Sequence, residues 1–109
     1  MEGLEMISFQ IISCVGSAKS MYIEAAQAAQ NYEFEKAEQL IKEGEEIFVK
    51  GHEAHASLIQ KEAGGEPVTP NMLLMHAEDQ LMAAESFKAF AEQQIIIFKK
   101  FQKLEESKA

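Results

Sequence analysis

Apolar residues recur at steps of three and four from the start of the chain, at Leu4, Ile7, Ile11, Cys14, Ala18, Met21, Ala25, Ala28 and Tyr32. At 3.6 residues per turn such positions share one face, so the pattern predicts a long amphipathic helix. Asn31-Tyr32-Glu33 groups polar residues with a weak helix former and predicts a break. A second series, Phe34, Ala37, Leu40, Ile41, Gly44, Phe48, Gly51, His55, Leu58 and Ile59, predicts a second helix. Glycine costs about 1 kcal/mol against alanine in a helix interior. Gly44 and Gly51 lie on one face, so they predict close approach of a neighbouring helix. The run Gly64-Gly65-Glu66-Pro67-Val68-Thr69-Pro70 is the clearest boundary. Its glycines end the second helix, with Thr69 expected as N-cap and Pro70 as first residue of a third. Lys99, Lys100 and Lys103 suit the C-terminal end of that helix dipole. No strand pattern or repeat competes. The expectation is an all-α fold, one domain over residues 1–109, forming an antiparallel up-down-up three-helix bundle with helices at about 2–31, 34–63 and 70–105.

The third helix carries more apolar surface than a bundle needs. Met72, Met75, Met82 and Phe90 follow one stripe, while Leu73, Leu74, Leu81, Phe87 and Ile95 lie elsewhere around it. The surplus predicts a subunit interface, and closed rotational symmetry is the usual solution. Asp79 falls within the Met75/Met82 stripe, so its copies would converge near a symmetry axis. Two carboxylates about 4 Å apart repel by roughly 4 kcal/mol at an effective dielectric of 20. Three of them require a proton or a cation, and an oxygen-only site suits a hard ion such as Mg2+ with waters completing its shell. The competing reading is a solvated Asp79 at the helix edge. His76 lies three residues before Asp79 and shares its side of the helix. A neutral imidazole, with an ordinary pKa of about 6.5, can accept and release a phosphoryl group near neutral pH. A structural histidine is the alternative, and spacing leaves both open.

Charge and composition narrow the classes further. Net charge is -8, and all ten basic residues are lysine. Without arginine the chain lacks the usual bidentate reader of phosphates and bases, and its field repels polyanions, so nucleic acid is not an expected partner. An acidic surface favours a basic protein instead. The single cysteine, Cys14, sits among Ile11, Ile12 and Val15 and reads as a small buried hydrophobe. The run Ile95-Ile96-Ile97-Phe98 is far shorter than the roughly 20 residues that span a bilayer. Glu2 and Glu5 stand where a secretory signal would carry basic residues, so a cytoplasmic protein is expected. His52 and His55, with Glu53 between them, lack the spacing of zinc-protease helices, and the residues three before each histidine are not the glutamates of di-iron bundles. Both are assigned a structural or surface role.

Met75-His76-Ala77-Glu78-Asp79-Gln80-Leu81-Met82 resembles the His-Ala-Gln-Asp-His-Leu-Met signature of the lactose/cellobiose-type enzyme IIA of the bacterial phosphoenolpyruvate-dependent sugar phosphotransferase system. The similarity extends through Glu53-Ala54-His55-Ala56-Ser57-Leu58-Ile59-Gln60-Lys61-Glu62-Ala63 and Phe34-Glu35-Lys36-Ala37, and so covers nearly the whole chain. The resemblance implies a homotrimer of three-helix subunits with Asp79 binding a metal ion, Mg2+, on the trimer axis. It also implies that His76 takes a phosphoryl group from the phosphocarrier protein HPr. His76 then passes it to a cysteine of the cognate enzyme IIB, which serves disaccharide uptake beside a membrane permease. Such a relay asks for an exposed ring nitrogen, in-line positioning and an apolar surround, to which Met72 and Leu73 are candidates. Two positions depart from the signature. Glu78 replaces glutamine and adds negative charge near the site, and Gln80 replaces histidine, retaining a possible hydrogen bond to the site but no titration. A helical oligomer of the same fold without phosphotransfer is the alternative function; a metalloenzyme bundle lacks ligands.

Overall fold

The computed structural model describes residues 3–108. Within them lie three helices, α1 (Gly3–Gln30), α2 (Phe34–Ala63) and α3 (Met72–Lys108), and no strand. Glu2, expected to open the first helix, lies outside the described residues. The helices alternate in direction in a rod of 63 × 23 × 20 Å.

α1 is the central element. Both α2 and α3 pack along its length, whereas they scarcely meet each other. Its Ile11, Val15, Ala18, Tyr22, Ala25 and Ala29 form the middle of a core completed by Ala37 and Phe48 of α2 and by Ala77, Leu81, Ala84, Ala91 and Ile95 of α3. Small residues dominate this list because two helices must approach α1 closely from different sides. The α2 glycines serve the same end. A Cβ on Gly44 would stand 2.7 Å from Cε1 of Tyr22, and one on Gly51 would stand 2.9 Å from Cγ1 of Val15.

Both helix ends that lead into turns close in the same way. After α1, the Tyr32 N–H donates to the Ala29 carbonyl and the Glu33 N–H to the Ala28 carbonyl, with Tyr32 at φ 61°. After α2, Gly65 donates to Glu62 and Glu66 to Lys61, with Gly65 at φ 94°. This is the Schellman arrangement, in which one left-handed residue satisfies the last free carbonyls. The start of α3 differs from expectation. Asn71 rather than Thr69 is the cap, its Oδ1 accepting the Leu74 N–H at 2.8 Å, and Pro70 lies outside the helix. Asparagine caps better than threonine, and here its side-chain oxygen reaches the backbone N–H three residues on.

Candidate functional site

α3 buries Leu74, Ala77, Leu81, Ala84, Ala91 and Ile95 against the bundle. Its opposite side is apolar as well. Met72 is 81%, Met75 57%, Met82 65% and Phe90 50% exposed, and Ile97, Phe101 and Leu104 continue the exposed series. Such a stripe is larger than an isolated rod explains. Asp79 is exposed within it.

His76 is also exposed, but beside the stripe rather than on it. One line along α3 carries His76, Phe87 and Gln94, since 11 and 18 residues each return a helix to nearly the same side. That line faces α1: the Lys19 ammonium lies 5.6 Å from the Phe87 ring, and Gln30 bonds Gln94 at 3.1 Å. The two contacts also fix a parallel register of α1 and α3, which sets Met6 and Phe9 of α1 level with Met72 and Met75. Both α1 residues are exposed. They lie off the Leu4/Ile7/Ile11 face, and that misplacement was the available signal in the sequence. Of the apolar neighbours expected around His76, Leu73 is half-buried and Met72 fully open. Gln80, one turn beyond His76, is half-buried.

The other flank of the stripe faces α2. There Nε2 of His55 lies 2.9 Å from a carboxylate oxygen of Glu78. Glu78 therefore points away from its own chain's His76, and the extra negative charge is held between α2 and α3. His55, expected in a structural or surface role, partners a residue inside the signature. Further along the same flank, Lys88 reaches Glu45 at 3.0 Å, and the buried Tyr22 hydroxyl donates to Glu45 at 3.3 Å. Burial pushes the Tyr22 pKa up, and the Glu45 charge and hydrogen bond push it further. These groups line an open cleft of about 350 Å³ with His52 at its edge.

A metal has no ready-made cage in one subunit, for among the described residues no three His, Cys, Asp or Glu side chains converge. Asp79 contributes one carboxylate per chain, which fits a cation only when copies meet. Cys14 is half-buried rather than fully so, with its Cβ against the α2 backbone at Gly51. No helix among the described residues is long and apolar enough to cross a membrane.

The sequence matches the family described as "PTS system, Lactose/Cellobiose specific IIA subunit" over residues 6–99. It is 34% identical over 97 residues to the lactose-specific EIIA component of Staphylococcus epidermidis, covering 89% of this chain and 93% of that one. It is 39% identical over 95 residues to the oligo-beta-mannoside-specific EIIA component of Bacillus subtilis, covering 87% and 86%. The fold superimposes on the crystal structure of the cellobiose-specific enzyme IIA from Bacillus anthracis with a TM-score of 0.89 and 35% identity, over 94% of each chain.

Proposed function

The chain belongs to the lactose/cellobiose-specific IIA family of the phosphotransferase system, and on that premise we propose that His76 takes a phosphoryl group from a histidine of HPr and delivers it to a cysteine of enzyme IIB. Members of this family are phosphoryl carriers. The assignment to His76 is supported by its exposure on the α1-facing flank of α3, beside the exposed Met72 and Met75.

In the first transfer a His76 ring nitrogen forms a bond to phosphorus as the donor's N–P bond breaks, and the electron pair returns to the donor imidazole. In the second, a cysteine thiolate forms an S–P bond as the His76 N–P bond breaks, leaving His76 free for another cycle. The protein contributes position and water exclusion rather than covalent chemistry of its own. Methionines suit a surface that two unlike partners use in turn, because their flexible side chains repack cheaply. The relatives are named for lactose, oligo-beta-mannoside and cellobiose, and no step here brings sugar to this chain, so a disaccharide is the proposed cargo class of the downstream permease. The subunit works on the cytoplasmic side.

The exposed α3 stripe supports a parallel homotrimer around a common axis. Asp79 of each copy would then hold a hard cation, Mg2+, whose charge offsets the three carboxylates. Incubation with phosphoenolpyruvate, enzyme I and HPr should add one phosphoryl group to the intact mass, and His76→Ala should abolish the gain. No gain in the wild-type chain would leave a helical oligomer without relay chemistry.

A further inference from the structure

Three helices meet at one polar cluster that the phosphoryl relay leaves unused. α2 and α3 scarcely touch each other, so between them the surface opens onto α1. Tyr22 of α1 forms the floor there because Gly44 of α2 has no side chain, and a Cβ at that position would stand 2.7 Å from the Tyr22 ring. The Tyr22 side chain is buried, yet it lines the cleft and its hydroxyl donates to Glu45 of α2 at 3.3 Å. Lys88 of α3 meets the same Glu45 oxygen at 3.0 Å. The space beside them measures about 350 Å³, with Phe48 and Val49 on the α2 wall and Glu85 on the α3 wall.

The cluster keeps bonding capacity in reserve. Oε2 of Glu45 takes both contacts, which leaves Oε1 for another donor. Lys88 spends one of its three N–H groups on that carboxylate, and a phenol that donates keeps its oxygen lone pairs. Glu85 adds an exposed carboxylate. Donors and acceptors therefore alternate beside apolar carbon. Inorganic phosphate fits badly, since two carboxylates face it and the one ammonium is already paired with Glu45. A metal ion fits badly too, for among the described residues no three His, Cys, Asp or Glu side chains converge. A hydroxyl group donates and accepts at once. Adjacent hydroxyls on one ring would take an N–H from Lys88 and give their O–H to Glu45 and Glu85, while ring C–H groups cover Val49 and the edge of Phe48.

We propose that this cleft binds a neutral polyhydroxylated ring of monosaccharide size. Its volume lies at the low end of the range of small-molecule sites, about 300–1,000 Å³, which suits one ring rather than two. The site is separate from the phosphoryl acceptor, because Glu85 and Lys88 lie about 14 Å or more along α3 from His76. They also project about 90° and about 150° round the helix from the middle of the exposed Met75/Met82 stripe, on the side away from His76. An association through that stripe would leave the mouth of the cleft open.

The unphosphorylated full chain provides the test. Tyr32→Phe leaves Tyr22 as the sole tyrosine in a chain without tryptophan, so its emission reports on the cleft. In that background methyl β-glucoside and myo-inositol should each change the emission saturably, with a dissociation constant of about 1–10 mM, as befits one ring in an open cleft. The Val49 methyl and His52 ring signals in NMR spectra should shift with the same midpoint. Glu85→Ala, at an exposed position, should weaken binding about tenfold, and Lys88→Met should do the same. Unchanged circular dichroism of both variants separates lost binding from a lost fold. Linear, unsaturable responses to both polyols overturn the proposal. Saturation by putrescine or inorganic phosphate with none by the polyols overturns it as well, as does polyol binding that neither variant alters. None of these readings involves phosphoryl transfer, so the relay and this site are tested separately.

Discussion

Gly51→Ala and Gly16→Ala make the same chemical change in helix interiors and should move stability in opposite directions. Adding a methyl group to either glycine gains up to about 1 kcal/mol of helix propensity. At Gly16 the new Cβ meets nothing within 4 Å, so the gain survives almost whole. At Gly51 it would lie 2.9 Å from Val15 Cγ1, 3.3 Å from Cys14 Cβ and 3.6 Å from the Ile11 carbonyl oxygen. Val15 is fully buried, and a β-branched side chain in a helix has essentially one χ1 rotamer, so it cannot swing aside. Relief requires α1 and α2 to part by several tenths of an ångström, an overpacking cost of about 1–3 kcal/mol. The net expectation is a loss of about 1 kcal/mol at Gly51 and a separation of about 2 kcal/mol between the two variants. Near the melting point each kcal/mol corresponds to about 4–8 °C in a chain of this size. Thermal unfolding followed by circular dichroism, at one fixed protein concentration because assembly shifts Tm, measures the difference. Equal stabilisation of both variants would refute the close α1/α2 approach inferred at Gly51.

Four other changes probe separate features. In the proposed trimer Asp79→Leu would remove axial repulsion, so it should keep or strengthen the oligomer in sedimentation analysis without added divalent cation; dissociation to monomers would count against an axial Asp79. Ser8 is fully buried and its hydroxyl finds no partner among the described residues, so Ser8→Ala should stabilise by about 0.5–1 kcal/mol in urea unfolding. Gly65→Ala forces a left-handed φ on a residue with a side chain and should cost about 1–2 kcal/mol by the same assay. Tyr22 has a pKa raised in the folded state, so its contribution to stability is intact below the unfolded value of about 10 and declines as pH rises through the higher folded value. Tyr22→Phe should therefore lose less stability than wild type between pH 9 and 11, and parallel losses would refute the assigned burial effect.

The helices and both breaks were legible because period and turn chemistry are local. Asn31-Tyr32-Glu33 and the paired glycines each contain a residue that closes a Schellman turn. The spacing of Gly44 and Gly51 also announced the approach of α1, because a glycine in an otherwise good helix needs a packing reason. The cap of α3 was misread by two residues, since Thr69-Pro70 and Asn71 offer competing starts and only the backbone decides between them. The His55–Glu78 pair was out of reach of spacing arguments. Its members are separated by 23 residues and belong to different helices, so neither carries the other's position in its local pattern.

A central α1 leaves one short chain room for both the assembly surface and the docking surface proposed above. Because α2 and α3 each lean on α1 and barely on each other, α3 gives up only one side to the bundle. Its far side carries Met75, Met82 and Phe90 with Asp79, Ser86 and Gln93 recurring every seven residues between them, so in-register copies set like against like at each level. Had the proposed phosphoryl acceptor occupied position 75 or 79, an association through this stripe would seal it from any donor. At position 76 it lies about a quarter-turn from the middle of the exposed stripe, which in the proposed trimer would keep it within reach of a donor protein. The placement of one histidine by one residue would therefore reconcile the proposed oligomer with the proposed exchange of phosphate between separate proteins.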